Sequence, residues 1–238
     1  MIQELWDYFT TSSTSKARAN GYLYHSIALA HRARRCRQHW SEHLRNCHQL
    51  LNSKLPKAST LAVLGSGLLL ETPPQILAQS FEKIDLIDVV HTKTVRELVG
   101  RSEHRERFRF VELDLNQDDL GNHFDFIISA NLLSQLSYVP GNRLRKQGQD
   151  EAQISKLSME LQDRHLRQIR QAATRYLLFS DFQINIRDLK GEILDSSSTV
   201  SEQLEIPWQQ KWSWNLAPAP EFSRLHSVEL IVGCTTNY

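Results

Sequence analysis

The chain has 238 residues, 40% of them hydrophobic and 23% charged, with a formal net charge of +1. That is length enough for a real core, charge too balanced to supply a global field for nucleic acid or an acidic partner, and no apolar run of the roughly 18 residues that a membrane span needs. Three cysteines, Cys36, Cys47 and Cys234, are too sparse and odd in number for a disulfide framework.

The opening decapeptide, MIQELWDYFT, has no basic region followed by an apolar stretch, so it does not read as a signal peptide, and a cytoplasmic protein is the expectation. Residues 1–20 read as a short helix and a soft linker. Residues 22–51 contain neither glycine nor proline and repeat with helical period: Cys36, Trp40, Leu44, Cys47 and Leu51 share one face. This is a long amphipathic helix, broken at most once, with a basic back. Lys16 to Lys57 holds nine Lys/Arg against Glu42 alone, which leaves the remainder of the chain at −7. An N-terminal helical, basic segment therefore spans 1–57.

From 58 to 238 the texture is α/β. Strands are expected at 60–65, 83–90, 107–115, 124–131 and 175–184, with helices at 73–81, 92–100 and 150–174. Thr72 can cap the first of these helices and Pro73 suits its first position. Ile154, Leu157, Leu161, Ile169 and Ala172 mark the inner side of the last. Strands alternating with helices imply parallel pairing through right-handed crossovers. The segments 210–218 and 225–235 break the rhythm and read as a closing antiparallel hairpin.

In an open parallel sheet, ligands bind beyond the carboxyl ends of the strands. Gly65, Ser66 and Gly67 stand after the first strand; Asp88, Val89, Val90 and His91 after the second; Asp114 and Leu115 after the third; Ser129, Ala130 and Asn131 after the fourth; Ser180 and Asp181 after the fifth. Gly65 and Gly67 permit a tight turn and close approach to bare backbone. Asp88 lies 21 residues beyond Gly67, the spacing at which an acid reaches ribose hydroxyls. Asp114 is placed to accept from an exocyclic amine such as that of adenine. A dinucleotide site would want a third glycine opening directly into a helix that cradles pyrophosphate. Here Leu68, Leu69 and Leu70 fill that place and the helix waits until about Pro73, so an adenosine without phosphates fits better.

These residues resemble the class I S-adenosylmethionine-dependent methyltransferases: the loop LGSG, the acid in LIDVV, then VELDL, FDFIISANLL and the closing hairpin, over about residues 58–238. The resemblance implies a Rossmann-like, seven-stranded, mostly parallel sheet with its last strand reversed, and S-adenosylmethionine as cofactor. It implies that Gly65, Ser66 and Gly67 border the methionine part, Asp88 binds the ribose, Val89 packs on adenine, Asp114 and Leu115 flank the adenine edge, and Ser129 and Asn131 face the sulfonium. Two positions depart from the pattern: Val63 stands where many members carry an acid, and Leu69 where many carry a third glycine.

Other groups have plainer explanations. His91, near the mouth of the site, has the right chemistry for a general base but suits a surface or capping role too. Asp181 can face substrate or serve structure. Cys36, His39, His43 and Cys47 are zinc-ligand types, yet on one helix they span about 16 Å, too far for one ion. The basic run HRARRCR can grip a phosphate or carboxylate, or be a solvated face. Thin aromatic interleaving weighs against nucleic acid, and SANL stands at strand four where nucleobase amino methylation would want (D/N)PPY. Trp208, Trp212 and Trp214 suit core packing first and a wall for a flat substrate second.

The expected function is methyl transfer from S-adenosylmethionine to a small-molecule acceptor, an anionic one if the basic helix meets it. The acceptor contacts are expected from 22–51, 132–143 and the insert 185–207. Val63, Leu69 and the lack of an obvious base equally fit a methyltransferase-like module that binds without catalysis. An NAD(P)-dependent oxidoreductase is disfavoured by the leucine-filled loop.

Overall fold

The computed structural model describes residues 2–238, so Met1 of the opening decapeptide lies outside the described residues. Helices α1 (Ile2–Thr10), α2 (Ser15–Ala19), α3 (Tyr22–Arg35) and α4 (Ser41–Lys54) come first. The segment 22–51, expected as a long helix broken at most once, is two helices with a single break at residues 36–40. Cys36 and Trp40 are both buried against the C-terminal hairpin, and the Trp40 indole donates to Leu216 O at 3.0 Å.

The α/β body follows in order: β1 (Ala58–Leu64), α5 (Pro74–Ala78), β2 (Phe81–Asp88), α6 (Lys93–Gly100), β3 (Phe108–Glu112), β4 (Phe126–Ala130), α7 (Tyr138–Lys146), α8 (Glu151–Ala172), β5 (Tyr176–Arg187), β6 (Ile193–Ser198), β7 (Gln210–Ala217) and β8 (Ser227–Thr236). The strands form a sheet of order β3-β2-β1-β4-β5-β8-β7, with β6 added beside β5. The β1–β2, β1–β4, β2–β3 and β4–β5 pairs are parallel, and β8 runs antiparallel to both β5 and β7. This is the Rossmann-like sheet with a reversed closing strand that the sequence implies.

Eight strands stand where seven were expected among the described residues. The extra one is β6, which pairs Ile193–Ser198 with the outer half of β5, beyond the point where β4 stops. All six of its residues are exposed, so no hydrophobic alternation announces it. Helix α7 is likewise absent from the expected elements.

The strands are apolar on both faces, as a covered parallel sheet requires. Leu61 and Val63 of β1, Phe126 and Ile128 of β4, and Leu177 and Phe179 of β5 pack on one side with residues of α4, α5 and α6. Ala62, Leu64, Ile127 and Leu178 point the other way and meet Leu166, Ile169 and Ala172 of α8. The inner side of α8 is broader than its apolar stripe. It also buries Gln162, His165 and Gln168, whose polar atoms bond outward to Thr199 O, Ser129 Oγ and Asp118 O. Asp150 caps that helix in a reciprocal box with Gln153.

The start of α5 corrects the expected cap. Pro74, not Pro73, is the first helical residue, Pro73 holds the cap position, and Thr72 is buried outside the helix.

The N-terminal segment packs on the body at two places. Ala33, Cys36 and Trp40 meet Trp214, Ala217, Val228, Leu230 and Val232 of the hairpin. Ala17, Leu23 and Ile27 close on Val90 after β2. The second contact lays α3 across the carboxyl ends of the strands.

Candidate functional site

The loop leaving β1 is a run of left-handed backbone: Gly65 at φ +71°, Gly67 at φ +51° and Leu69 at φ +56°. Gly65 is required by space as well, because a Cβ there would stand 2.7 Å from Leu132 Cβ. Leu69 takes the third left-handed position without being glycine, at a cost of about 1–2 kcal/mol. Its side chain offsets that cost by being buried in the core with Leu77 and Val95. The missing glycine is therefore a leucine holding the turn that a glycine would make.

Asp88, at the end of β2, accepts from the Gly67 amide at 2.8 Å through Oδ2. Its other oxygen meets only the Val90 amide at 3.5 Å. One carboxylate oxygen thus fixes the glycine turn and the other has capacity for a ligand. Asp88 does not cap α6. Thr92 holds that cap position, and its buried hydroxyl has no hydrogen-bond partner. Beyond β3, Asp114 accepts from the Asn116 amide at 3.2 Å and the Gln117 side chain at 2.9 Å. It is a turn residue and a lining residue at once.

These loops enclose a cleft of about 1120 Å³, part of it open to solvent. Gly65, Gly67, Asp88, Val89, Asp114, Leu115 and Asn131 all line it. Helix α3 forms its cover through Tyr22, His25, Ser26 and Leu29. Helix α7 and its approach add Leu132, Gln135, Leu136 and Val139. The cover is tied down by His25 packing on Tyr138 at 4.5 Å between ring centroids, and by Arg143 donating to Asn20 at 2.7 Å. Burial pushes the His25 imidazole below its usual pKa, against a smaller opposing pull from Gln135.

Asn131 is the sharpest sign of a ligand. It sits at φ +49°, is 5% exposed, and neither its amide oxygen nor its amide nitrogen makes a hydrogen bond of normal geometry, although the amide lies near enough to Glu71 to act on its carboxylate. Buried polar groups without partners are costly, and those in a cleft await something.

Sequence reasoning missed Glu71, which lines the same cleft. The buried His43 ring accepts from the Trp212 indole at Nδ1, 3.0 Å away, which leaves Nε2 to carry the proton 3.6 Å from the Glu71 carboxylate. The ring also stacks on Trp214 at 4.1 Å. Burial alone would raise the Glu71 carboxyl, but His43, a backbone amide and the Asn131 amide outweigh it and hold it below the usual carboxylate range. Val63, two residues before Gly65, turns into the core instead. His43, read from sequence beside Cys47 as a ligand type, was the available signal.

Four expected residues lie off the cleft lining. Ser66 is buried with its hydroxyl unpartnered. Ser129 bonds His165 Nε2 at 2.8 Å behind the sheet. His91 is fully buried, with Nε2 on Val111 O at 3.2 Å and its ring edge-on to Phe110, and burial pushes its pKa down. That is a core histidine, without access for a general base. Asp181 is buried, accepts from Ser134 Oγ at 2.6 Å, and burial raises its carboxyl. Asp181 has its polar partners inside the fold, whereas Nδ1 of His91 is buried without one.

The insert 185–207 supplies nothing to the cleft, because it turns back along β5 as β6. Of the three C-terminal tryptophans, Trp214 lines the cleft with Trp40, Trp212 holds His43, and Trp208 stacks on Phe182 at 5.3 Å. The basic run faces away: Arg35 makes a two-pronged pair with Glu221 at 2.8 and 2.9 Å. The cleft lining holds Glu71, Asp88 and Asp114 and, among the described residues, no lysine or arginine.

No protein-family model matches the chain, and no curated protein matches it. Among solved structures it is similar to the N-methyltransferase NodS from Bradyrhizobium japonicum WM9 in complex with S-adenosyl-L-homocysteine, at 13% identity and TM-score 0.44, over 82% of this chain and 86% of that one. It is similar to DhpI in its SAM–HEP complex, at 11% identity and TM-score 0.48, over 94% and 100%. It is also similar to a putative O-methyltransferase from Nostoc punctiforme PCC 73102, at 13% identity and TM-score 0.42, over 82% and 56%.

Proposed function

We propose that the chain is an S-adenosylmethionine-dependent methyltransferase acting on a small-molecule acceptor. The observation that carries this is the phosphate-free design of the strand-tip cleft. A pyrophosphate needs free backbone N–H groups at a helix N-terminus. Here Pro73 and Pro74 occupy the cap and first positions of α5 and have no N–H to give. The Gly67 amide is spent on Asp88, and the Leu69 amide on Ser66 O at 3.0 Å. What remains suits a nucleoside: the free Asp88 oxygen for ribose hydroxyls, Val89 and Leu115 for the faces of a base, and Asp114 at its edge.

The buried Asn131 amide and the spare Asp88 oxygen fit that cofactor at its two ends, the sulfonium side and the sugar side. Bound there, S-adenosylmethionine would supply a methyl group already activated for displacement. The chain's part is to align the acceptor and to exclude water. Gly65 and Gly67 give backbone close enough to follow the ligand, and Leu29, Trp40, Leu132 and Trp214 supply a dry wall. Among the described residues, the neutral His25 is the imidazole on the lining, and it can take the proton that an acceptor sheds. A module that binds the nucleoside without turnover would use the same contacts, and turnover with an added acceptor separates the two.

The test is a thermal-shift and calorimetric titration with S-adenosylhomocysteine and NADH. S-Adenosylhomocysteine at about a hundred times its Kd should stabilise the fold by about 2.7 kcal/mol, and NADH should not. Asp88→Asn keeps an acceptor for the Gly67 amide but removes the charge, and should weaken the complex at least tenfold. A shift with NADH alone would replace this function with a dinucleotide enzyme.

A further inference from the structure

The cleft has one charged group that the nucleoside leaves unassigned. Asp114 and Asp88 stand at the tips of β3 and β2, where base and sugar would lie. Glu71 and Asn131 follow β1 and β4 and line the cleft together with Trp40 and Trp214, and Trp214 stacks on the histidine that backs Glu71. It is not a solvated surface acid: its carboxylate is backed by a histidine that is itself locked by one tryptophan and stacked on another. The locking fixes the tautomer, so the face turned to Glu71 is the N–H face. With three carboxylates on the lining and no lysine or arginine beside them, the potential there is negative. Tryptophan rings lining one cleft with a carboxylate are surroundings that stabilise an organic cation.

We infer that Glu71 and Asn131, set against Trp40 and Trp214, form a binding subsite for a ligand's ammonium group, with Trp212 and His43 positioning the carboxylate. This rests on the proposed function only for where the ammonium comes from. One source is the amino-acid tail of the cofactor; the other is an amine on the acceptor. If the acceptor is the source, the partner at this end of the cleft is a cationic amine.

The experiment compares the full-length wild type with Glu71→Gln by calorimetry, using three probes. S-Adenosylhomocysteine carries the tail amine, 5′-methylthioadenosine is the same nucleoside thioether without the tail, and phenethylammonium is a free aryl-alkyl cation added to protein with and without S-adenosylhomocysteine. If the tail is the source, Glu71→Gln weakens S-adenosylhomocysteine at least tenfold and changes 5′-methylthioadenosine less than twofold. If the acceptor is the source, both nucleosides are unchanged, while phenethylammonium binds the saturated wild type and is lost in the variant. If Glu71→Gln leaves all three within twofold of wild type, the subsite is overturned. If wild type binds neither nucleoside, the proposed function fails on its own. Phenethylammonium binding to free wild type, lost in Glu71→Gln, would still establish the ammonium site, and no binding would sink it. Should Glu71→Gln fail to fold, Glu71→Asp keeps the charge one methylene further back, and a several-fold loss in the same arm is expected.

Discussion

Leu69 shows most clearly how this chain departs from a glycine-rich turn without losing its shape. A leucine at φ +56° is held in a conformation that costs any L-residue with a Cβ, and only its burial makes it tolerable. Leu69→Ala should cost about 2–5 kcal/mol, as buried leucine truncations do. Leu69→Gly should then be no less stable than Leu69→Ala, because removing the last carbon relieves about 1 kcal/mol of backbone strain. Urea denaturation of the two variants checks this. A glycine variant weaker by a full kcal/mol would mean that the backbone there is not left-handed. At this scale the sequence was legible where chemistry meets spacing. Gly65, Gly67, Asp88, Val89, Asp114, Leu115 and Asn131 were nameable because strand tips and turns announce themselves. Glu71 was not, because its importance comes from His43, Trp212 and Trp214, which arrive from α4 and β7 through the fold rather than through spacing.

Among the elements, α3 decides how closed the cleft is. It is neither the basic clamp nor the merely solvated face that its arginines suggest. Its cleft side is Tyr22, His25, Ser26 and Leu29, while Arg35 reaches outward to Glu221 on the loop between β7 and β8. The cover is held at its near end by the His25–Tyr138 ring contact, and Tyr138 is itself half exposed. Tyr138→Ala should therefore change unfolding stability by less than about 1 kcal/mol, within the range of surface substitutions and exposed ring pairs. It should weaken S-adenosylhomocysteine several-fold, mainly through faster dissociation, as stopped-flow release would show. An unchanged off-rate would mean that α3 does not retain the ligand. The strands and the long helix α8 were readable from apolar runs and periodicity. The place of the break between α3 and α4, helix α7 and strand β6 were not. The strand β6 is exposed throughout, held by backbone pairing to β5 that leaves no mark on side-chain pattern.

For the whole molecule, the balanced net charge hides a separation: Arg34, Arg35 and Arg37 of the N-terminal segment are exposed, and three carboxylates line the cleft. The same burial that builds the core makes its stability depend on pH. His165, buried behind β4, has its pKa lowered to about 4 by desolvation alone. The unfolded chain, at about 6.5, takes up that proton first. The contribution is therefore fully present above about pH 6.5 and is lost as pH falls toward 4, about 3 kcal/mol in all. His25 and His91 are lowered in the same direction and steepen the loss. Urea denaturation between pH 7 and pH 4.5 should show wild type weakening with acid, and His165→Gln should lose about one proton's worth of that slope; identical slopes would place the charge change elsewhere. The overall architecture was legible because parallel strands buried on both faces leave long apolar runs. The sign of the cleft was not, since it depends on which side of α3 meets the sheet.

The central claim is that a nucleoside without phosphates lies across the strand tips with its sugar on Asp88. It is tested most directly by a crystal structure of the full chain with S-adenosylhomocysteine. The account predicts ribose hydroxyls within hydrogen-bonding distance of the free Asp88 oxygen, the base between Val89 and Leu115, and the sulfur end near Asn131. A cleft left empty at saturating ligand, or an adenosine bound away from Asp88, would contradict it.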